Sequence, residues 1–113
     1  MLDFKCRQDD LWVVTIPKCG TTWMQETAWL VQNDFDFDKA NSILLTERSP
    51  FVEIEGLQDG ICKSFKISDD LPSPRLLKSH LPASFLPKEI WQKRSKIIYV
   101  ARNVKDTVVS FQP

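Results

Sequence analysis

The chain has no excess charge of either sign, no long apolar run and few cysteines. Its 15 lysine and arginine residues balance 15 aspartate and glutamate residues. This balance argues against nucleic acid and anionic membranes as partners, because both attract basic proteins. No apolar run approaches the ~20 residues that a membrane-spanning helix needs. The 3 cysteines, an odd number at wide spacing, have the pattern of neither a disulfide framework nor a metal site.

The sequence also lacks a secretion signal, an internal repeat and any sign of a second domain. Met1–Cys6 contains no apolar core of the kind that a signal peptide has, and together with the cysteine pattern this predicts a cytoplasmic location. A helical pattern begins at Val104, and the sequence stops at Pro113. We therefore expect residues 1–113 to be the N-terminal portion of a single domain that is truncated at its C-terminal end.

Apolar segments alternate with helical segments along the chain. We predict strands at 11–16, 75–79 and 96–101 and helices at about 22–32, 37–47 and 87–93. Ile97–Val100 is apolar without alternation, which is typical of a parallel strand buried on both faces. The spacing in the first helix groups apolar residues on one face, which carries Trp23, Thr27, Leu30 and Val31, with Met24 and Ala28 beside it. This order predicts an α/β fold in which a parallel sheet is flanked by helices.

A small-residue loop joins the first predicted strand to the first helix. Its sequence is Pro17-Lys18-Cys19-Gly20-Thr21-Thr22-Trp23. The first N–H groups of a helix have no partner within the helix, and the helix dipole adds partial positive charge there. Lys18 adds a full charge, Gly20 allows close backbone approach, and Thr21 and Thr22 offer hydroxyl donors. We expect the loop to bind an anion; the alternative is that these residues only cap a helix.

The loop differs from that of nucleoside triphosphate-binding proteins. Their motif, G-x-x-x-x-G-K-[ST], has lysine after the last glycine, whereas Lys18 precedes Gly20 by two residues. The strand that would supply a magnesium-binding aspartate is followed here by Arg102, which suits a phosphate. The sequence therefore predicts an anion site that works without a metal.

Cys19 admits two interpretations. The nearby lysine and helix N-terminus favour a thiolate, which makes Cys19 a candidate nucleophile. A cysteine phosphatase would need an arginine six residues later, where this chain has Gln25, and no sequence feature places Cys19 against His80. The second interpretation, a small residue that takes the place of serine in the loop, is favoured.

Two further sites follow predicted strands. His80, the only histidine, comes after Lys78 and Ser79 and can take a proton from a hydroxyl nucleophile, although a lone histidine is also compatible with a surface role. Arg102 follows the last strand, and Ser110 comes about two helical turns later. These two can hold a second phosphate, or Arg102 can form a surface ion pair. Ligands bind beyond the carboxyl ends of parallel strands, so we expect Lys18, His80 and Arg102 to share one opening.

Three segments together resemble the cytosolic sulfotransferases. Phe4–Trp23 resembles that family's 5′-phosphosulfate loop with the strand before it. Arg75–Pro82 resembles its catalytic-histidine segment, and Lys96–Ser110 resembles its 3′-phosphate segment, in the same order along the chain. The aspartate-rich turn after the first helix and Glu47–Phe51 resemble insect members.

The resemblance implies the three-layer architecture of P-loop nucleotide hydrolases, incomplete in this chain. It implies transfer of a sulfuryl group from 3′-phosphoadenosine 5′-phosphosulfate to the hydroxyl or amino group of a small acceptor, which is a phenol, an alcohol or an amine. His80 would be the general base, Lys18 would stabilise the leaving group, and Lys78 would steady the transferring group. The implied donor-binding residues are Lys18, Cys19, Gly20, Thr21, Thr22, Trp23, Arg102 and Ser110.

Several differences from the family keep alternatives open. Cys19 stands where serine is common and Ile16 where tyrosine is common. The family's later strands and its dimer segment are absent from this sequence, so a homodimer is an expectation only for a full-length form. One alternative is therefore a catalytically inactive fragment or remnant of such an enzyme. Another is a nucleotide kinase-like protein of the same sheet architecture.

Overall fold

The structure is a computed structural model that describes residues 4–16, 19–52 and 64–111. Its elements in chain order are β1 (Leu11–Thr15), α1 (Thr21–Gln32), α2 (Phe37–Ser42), α3 (Leu45–Arg48), α4 (Ser64–Asp70), β2 (Leu76–Ser79), a 3-10 helix (Ala83–Phe85), α5 (Lys88–Gln92), β3 (Lys96–Val100) and α6 (Val104–Phe111). The predicted strands and the predicted first helix therefore form, with ends that differ by one residue.

The three strands form one parallel sheet in the order β2-β1-β3. Leu11 of β1 lies between Leu76 of β2 and Lys96 of β3, and this register continues along the strands. Parallel neighbours need crossover connections, and helices occur in both crossovers. The predicted α/β fold with a parallel sheet flanked by helices is confirmed.

Alternate residues of the strands pack into two apolar clusters, one on each face of the sheet. The first cluster lies against the N-terminal segment and α5 and contains Phe4, Cys6, Trp12, Val14, Val52, Leu77, Leu86 and Ile90. The second lies under α1 and contains Val13, Ala28, Trp29 and Leu76. β1 is the only described strand with a neighbour strand on each edge, and its central residues Trp12 and Val13 are fully buried.

β3 is more exposed than its apolar sequence predicts. Tyr99 is 64% exposed, and the other residues of β3 are exposed or half-buried. β3 lies at one end of the described sheet, where no described strand pairs with its outer edge. The prediction of a strand buried on both faces is wrong for the described part of the chain.

The buried face of α1 is not the face on which the sequence spacing groups Trp23, Thr27, Leu30 and Val31. Trp23 is 83% exposed and Val31 is 60% exposed, and Thr27 is exposed as well. The residues buried by α1 are Thr21, Gln25, Ala28 and Trp29. Apolar residues occur around most of this helix, so its apolar pattern does not decide which face is buried. Gln25 donates to Ser49 Oγ and Thr21 is hydrogen-bonded to Thr15, and both contacts fit the observed orientation.

The predicted helix at 37–47 is two short helices. The Asp36 carboxylate accepts a hydrogen bond from the Lys39 N–H at 3.0 Å and caps the start of α2. Ile43 then adopts an extended conformation, with φ −125° and ψ 131°, which ends α2 before α3 begins at Leu45.

A buried ion pair joins the amino ends of β1 and β2. Arg75 donates from Nε to Asp10 Oδ1 at 2.8 Å and from Nη2 to Asp10 Oδ2 at 2.6 Å, with both side chains 0% exposed. Arg75 also donates to the carbonyl oxygens of Lys5 and Ser68 at 3.1 and 3.0 Å. One side chain therefore connects the N-terminal segment, α4 and the sheet.

No helix in the described ranges has the length and apolar character needed to cross a membrane.

Candidate functional site

The carboxyl ends of the parallel strands bring His80 to the end of β1. Val14 lies beside Ser79 in the sheet register, so the residue that follows each strand emerges at the same edge. His80 Nδ1 lies 3.0 Å from the carbonyl oxygen of Thr15 and 3.2 Å from Thr15 Oγ1. His80 is half-buried. The candidate base is therefore anchored to the residue that ends the first strand.

A chain of polar contacts continues from Thr15 into α1. Thr15 Oγ1 is hydrogen-bonded to Thr21 Oγ1, and the two residues are 2% and 6% exposed. Thr22, by contrast, is exposed. The two threonines of the loop motif therefore differ: Thr21 points inward to the histidine side of the site, and Thr22 faces outward.

The start of α1 presents features that suit an anion. Its N-cap is Gly20, with φ +88° and ψ 24°, and no side chain caps the helix. The first turn contains no acidic residue, so no carboxylate competes for the positive end of the helix dipole. A Cβ at Gly20 would meet nothing within 4 Å; the need for glycine lies in the positive φ, which L side chains rarely adopt.

The loop residues before Gly20 are described only in part. Pro17 and Lys18 lie outside the described residues, so the predicted roles of Lys18 stay predictions. Cys19 is 4% exposed, and its Sγ lies 3.5 Å from Thr107 Oγ1 in α6. Because the Thr107 hydroxyl donates to the Asn103 carbonyl at 3.0 Å, the thiol is the donor to Thr107. This buried contact favours the interpretation of Cys19 as a packed loop residue over that of an exposed nucleophile.

Lys78 and His80 share an aromatic neighbour, Phe51. Lys78 Nζ lies 4.6 Å from the centre of the Phe51 ring. The Phe51 and His80 rings meet edge to face, with centres 5.0 Å apart and planes at 75°. Phe51 is half-buried, and its backbone forms a parallel bridge to Lys78. An aromatic ring beside a cation and a candidate base forms an apolar wall suited to a small organic molecule.

The sequence alone admits Phe51 in an acceptor pocket but favours core packing, and it does not predict the contact with Lys78 and His80. The contact joins residues that are far apart in the sequence, and no local pattern around Phe51 predicts it. The segment before it is fixed to α1: Gln25 Nε2 donates to Ser49 Oγ at 2.9 Å, and Arg48 forms a two-point ion pair with Glu26 at 2.9 and 3.0 Å. The buried polar residue Gln25 thus helps to place an aromatic ring at the site.

The third candidate segment lies at the same edge of the sheet. Thr15 pairs with Val100 at the end of β3, and Arg102 follows two residues later with an exposed side chain. Asn103 Oδ1 accepts a hydrogen bond from the Lys105 N–H at 2.8 Å, so Asn103 caps the start of α6. Ser110 lies in α6, and its side chain is outside what the structure describes. Arg102 and His80 therefore follow strands that end at one edge, and a shared opening with Lys18 stays a prediction.

Among the described residues, no group of three or more histidine, cysteine, aspartate and glutamate side chains has a geometry that could hold a metal ion. The expectation of an anion site that works without a metal stays a prediction.

Comparison with known proteins identifies relatives over almost the whole chain. A family model described as "Sulfotransferase domain" matches residues 8–112. Bovine sulfotransferase 1E1 is 41% identical over 109 residues, which is 96% of this chain and 36% of that protein. Mouse sulfotransferase 1 family member D1 is 43% identical over 108 residues, with the same shares of the two chains. The chain thus spans 36% of the length of these relatives.

Solved structures have the same fold. Retinol dehydratase in complex with androsterone and the inactive cofactor PAP superposes with a TM-score of 0.75 at 23% identity, over 95% of this chain and 39% of that one. At this identity the likeness concerns the fold alone. Mouse sulfotransferase SULT7A1 in complex with PAP superposes with a TM-score of 0.62 at 28% identity, over 94% of this chain and 33% of that one.

Proposed function

Since the chain belongs to the sulfotransferase domain family, we propose that it forms the part of a sulfotransferase that binds 3′-phosphoadenosine 5′-phosphosulfate and transfers its sulfuryl group. The acceptor is a small phenol, alcohol or amine. The observation that carries the proposal is the contact of His80 with Thr15, because it brings a candidate base to the edge where the anion loop begins. Family membership favours this function over the kinase-like alternative.

The loop and the start of α1 hold the 5′-phosphosulfate in this proposal. Gly20 gives the backbone its entry into α1, and helix N–H groups and hydroxyls donate to the anion. Trp23, exposed beside the loop, lies against the adenine. The complete set of proposed donor-binding residues is Lys18, Cys19, Gly20, Thr21, Thr22, Trp23, Arg102 and Ser110.

The donor supplies an activated sulfuryl group, whose bond to a phosphate oxygen breaks as the acceptor oxygen or nitrogen bonds to sulfur. His80 takes the proton from the acceptor. The Thr15 carbonyl can only accept a hydrogen bond, so a neutral His80 with Nδ1–H bonded to it carries its lone pair on Nε2. Nε2 is therefore the atom that receives the acceptor's proton.

Negative charge on the leaving phosphate increases as the bond breaks, and Lys18 with the α1 N-terminus stabilises it. Lys78 steadies the sulfuryl group, and its ammonium already lies above the Phe51 ring. In-line transfer of this kind depends on alignment and charge stabilisation more than on covalent catalysis. We propose that lysine and backbone dipoles supply that charge without a metal ion.

Nucleotide binding is the direct test. Thermal unfolding of the 113-residue chain should shift upward by roughly 10 °C when 3′-phosphoadenosine 5′-phosphate (PAP) is present at about 100 times its Kd. With the sulfated donor and a panel of phenols, alcohols and amines, the chain should form sulfated product. His80→Ala should abolish product formation and keep the PAP-dependent shift. Loss of the shift in His80→Ala would mean that His80 binds nucleotide instead.

A second candidate is a segment that binds the nucleotide weakly or not at all and does not catalyse transfer. It is favoured by the exposure of Trp23 and of Val104, at 83% and 76%, because the adenosine side of the described site is open to solvent. A PAP-dependent shift without product from any acceptor, or no shift at all, would support this candidate. Product formed by the 113-residue chain would contradict it.

We further propose a cytoplasmic location and no nucleic-acid or membrane partner. The balance of charged residues supports the second part, and the free thiols of Cys6 and Cys19 support a reducing compartment. A homodimer is proposed only for a form that carries the family's dimer segment.

A further inference from the structure

Direct hydrogen-bond contacts connect His80, the candidate base, through Thr15 to Thr21 in the anion loop. His80 Nδ1 lies 3.2 Å from Thr15 Oγ1, and Thr15 Oγ1 is bonded to Thr21 Oγ1. The two hydroxyls are almost fully buried, at 2% and 6% exposure for their residues. Buried hydroxyls are satisfied by protein partners rather than by bulk water. The direction of each hydrogen bond in the series from His80 through Thr15 to Thr21 therefore depends on the direction of the neighbouring hydrogen bond.

The Thr15 carbonyl favours one direction of the first hydrogen bond. It lies 3.0 Å from His80 Nδ1 and has only lone pairs to offer. A His80 tautomer with a lone pair on Nδ1 would place two acceptors against each other. The tautomer with Nδ1–H donates to the carbonyl and, at 3.2 Å, also faces Thr15 Oγ1. A neutral His80 in this arrangement keeps its lone pair on Nε2.

The remaining directions follow from the first. With Nδ1–H facing Thr15 Oγ1, the Thr15 hydroxyl proton is directed to Thr21 Oγ1. The proton of Thr21 is then left to donate to a further acceptor at the start of α1. In the opposite direction, Thr21 would donate to Thr15, Thr15 would donate to Nδ1, and His80 would carry its proton on Nε2. That second arrangement has neither a base at Nε2 nor a Thr21 proton for the loop.

From this series of hydrogen bonds we infer that Thr15 is a positioning residue that couples occupancy of the anion loop to the tautomer of His80. An anion that accepts the Thr21 proton selects the direction in which Nε2 holds the lone pair. Since coupling between two sites is reciprocal, the Nδ1–H tautomer favours anion binding in turn. The inference rests on the proposed function, because it takes the loop as the 5′-phosphosulfate site and His80 as the base.

A single histidine makes the test direct. The ¹⁵N chemical shifts of the imidazole report which nitrogen carries the proton, and only His80 contributes. In the wild-type 113-residue chain we expect the Nδ1–H tautomer, and PAP should increase its share. Thr15→Val keeps the carbonyl and the shape of the side chain and removes the hydroxyl. This variant should bind PAP but lose the PAP-dependent change in the ¹⁵N shifts.

Matched variants separate coupling from packing. Thr15→Ser should restore the response, because it restores the hydroxyl. Thr21 is also a proposed donor-binding residue, so Thr21→Val is measured at PAP concentrations that saturate it. It should abolish the response from the loop end of the hydrogen-bonded series, which keeps the test available should Thr15→Val fail to fold. Thr27→Val, the same change at an exposed position of α1, should leave the response as in the wild type.

The outcomes distinguish this inference from the proposed function. An equal PAP-dependent change in the His80 ¹⁵N shifts of wild type, Thr15→Val and Thr21→Val would overturn the coupling and leave the proposed function intact. An Nε2–H tautomer in the wild type would overturn it too. Absence of any PAP-dependent thermal shift in the wild type would count against the proposed function and, with it, the coupling. Loss of the response with PAP binding retained supports the coupling.

Discussion

Gly20 is the residue at which the chain turns from the loop into α1. Its φ of +88° lies in the left-handed region, and the space around a Cβ at this position is empty to 4 Å. The requirement for glycine is therefore one of backbone conformation, not of room. The sequence predicts a different reason for Gly20, close approach of the backbone to an anion, and that role stays a prediction.

Gly20→Ala should lower the free energy of unfolding by about 1–2 kcal/mol, the cost of a left-handed conformation for a residue with a Cβ. Gly20→Asn should cost less, since asparagine adopts this conformation more readily than alanine does. Urea denaturation of the three proteins measures both effects. Equal losses for alanine and asparagine would show that the backbone conformation is not the cause.

Arg102→Ala should weaken PAP binding about 10- to 100-fold, because a charge-assisted hydrogen bond contributes about 1.5–3 kcal/mol. Binding of adenosine 5′-phosphate, which lacks the 3′-phosphate, should change little. Titration calorimetry with both nucleotides measures the difference, with Lys105→Ala, at an exposed neighbouring position, as the matched control. Equal weakening of both nucleotides would contradict a 3′-phosphate role for Arg102.

At the scale of elements, the strands were predictable and the packing of α1 was not. β1 and β3 each contain a continuous apolar run, and parallel pairing places their carboxyl ends at one edge whatever the details of packing. α1 carries apolar residues on several faces, so its orientation could not be derived from periodicity. The orientation is held by a hydrogen bond from Gln25 to Ser49, the residue after α3, and by the ion pair of Glu26 with Arg48 in α3. Only the folded chain reveals these contacts.

The N-terminal segment and α5 are joined through Glu89, which gives a pH-dependent contact. Glu89 Oε2 accepts the Cys6 N–H at 2.7 Å, and this hydrogen bond, with Lys93 nearby, holds the pKa of Glu89 below its ordinary value of 4.5. A carboxyl whose pKa is lower in the folded state stabilises the fold above its unfolded pKa. That contribution disappears as the pH falls through the folded pKa.

Glu89→Gln should therefore lower stability at pH 7 and reduce the fall in stability between neutral and acidic pH. Urea denaturation at a series of pH values from 7 down to about 3 measures this dependence. Glu47→Gln, at an exposed position of α3, serves as the control for loss of one carboxylate. A pH dependence of Glu89→Gln identical to that of the wild type would exclude Glu89 as its source.

At the scale of the whole molecule, the Asp10–Arg75 pair holds together segments that the sequence places far apart. Arg75 contacts Asp10, Lys5 and Ser68, and no sequence pattern predicted this network. The fold class followed from the alternation of strands and helices. The contacts that join the N-terminal segment to α4 could not be predicted in this way, because a buried ion pair leaves no periodic pattern in a sequence.

Arg75→Met should lower the free energy of unfolding by about 3–5 kcal/mol, since it leaves the Asp10 carboxylate buried without its partner. The double variant Asp10→Leu and Arg75→Met should recover part of that loss, because no buried charge remains unpaired. Denaturant unfolding of the single and double variants measures both. A loss below about 1 kcal/mol in Arg75→Met would contradict a central role for the pair.

The ion pair lies at the amino ends of the strands, and the candidate site lies at their carboxyl ends. β2, the four-residue strand between Arg75 and His80, spans ~13 Å at about 3.3 Å per residue. Effects of substitutions separated by more than about 7–10 Å without shared partners usually add. The contacts that keep the strands in register and the candidate site thus lie at opposite ends of one sheet. Substitutions around His80 and Phe51 can therefore accumulate over evolution without loss of those contacts.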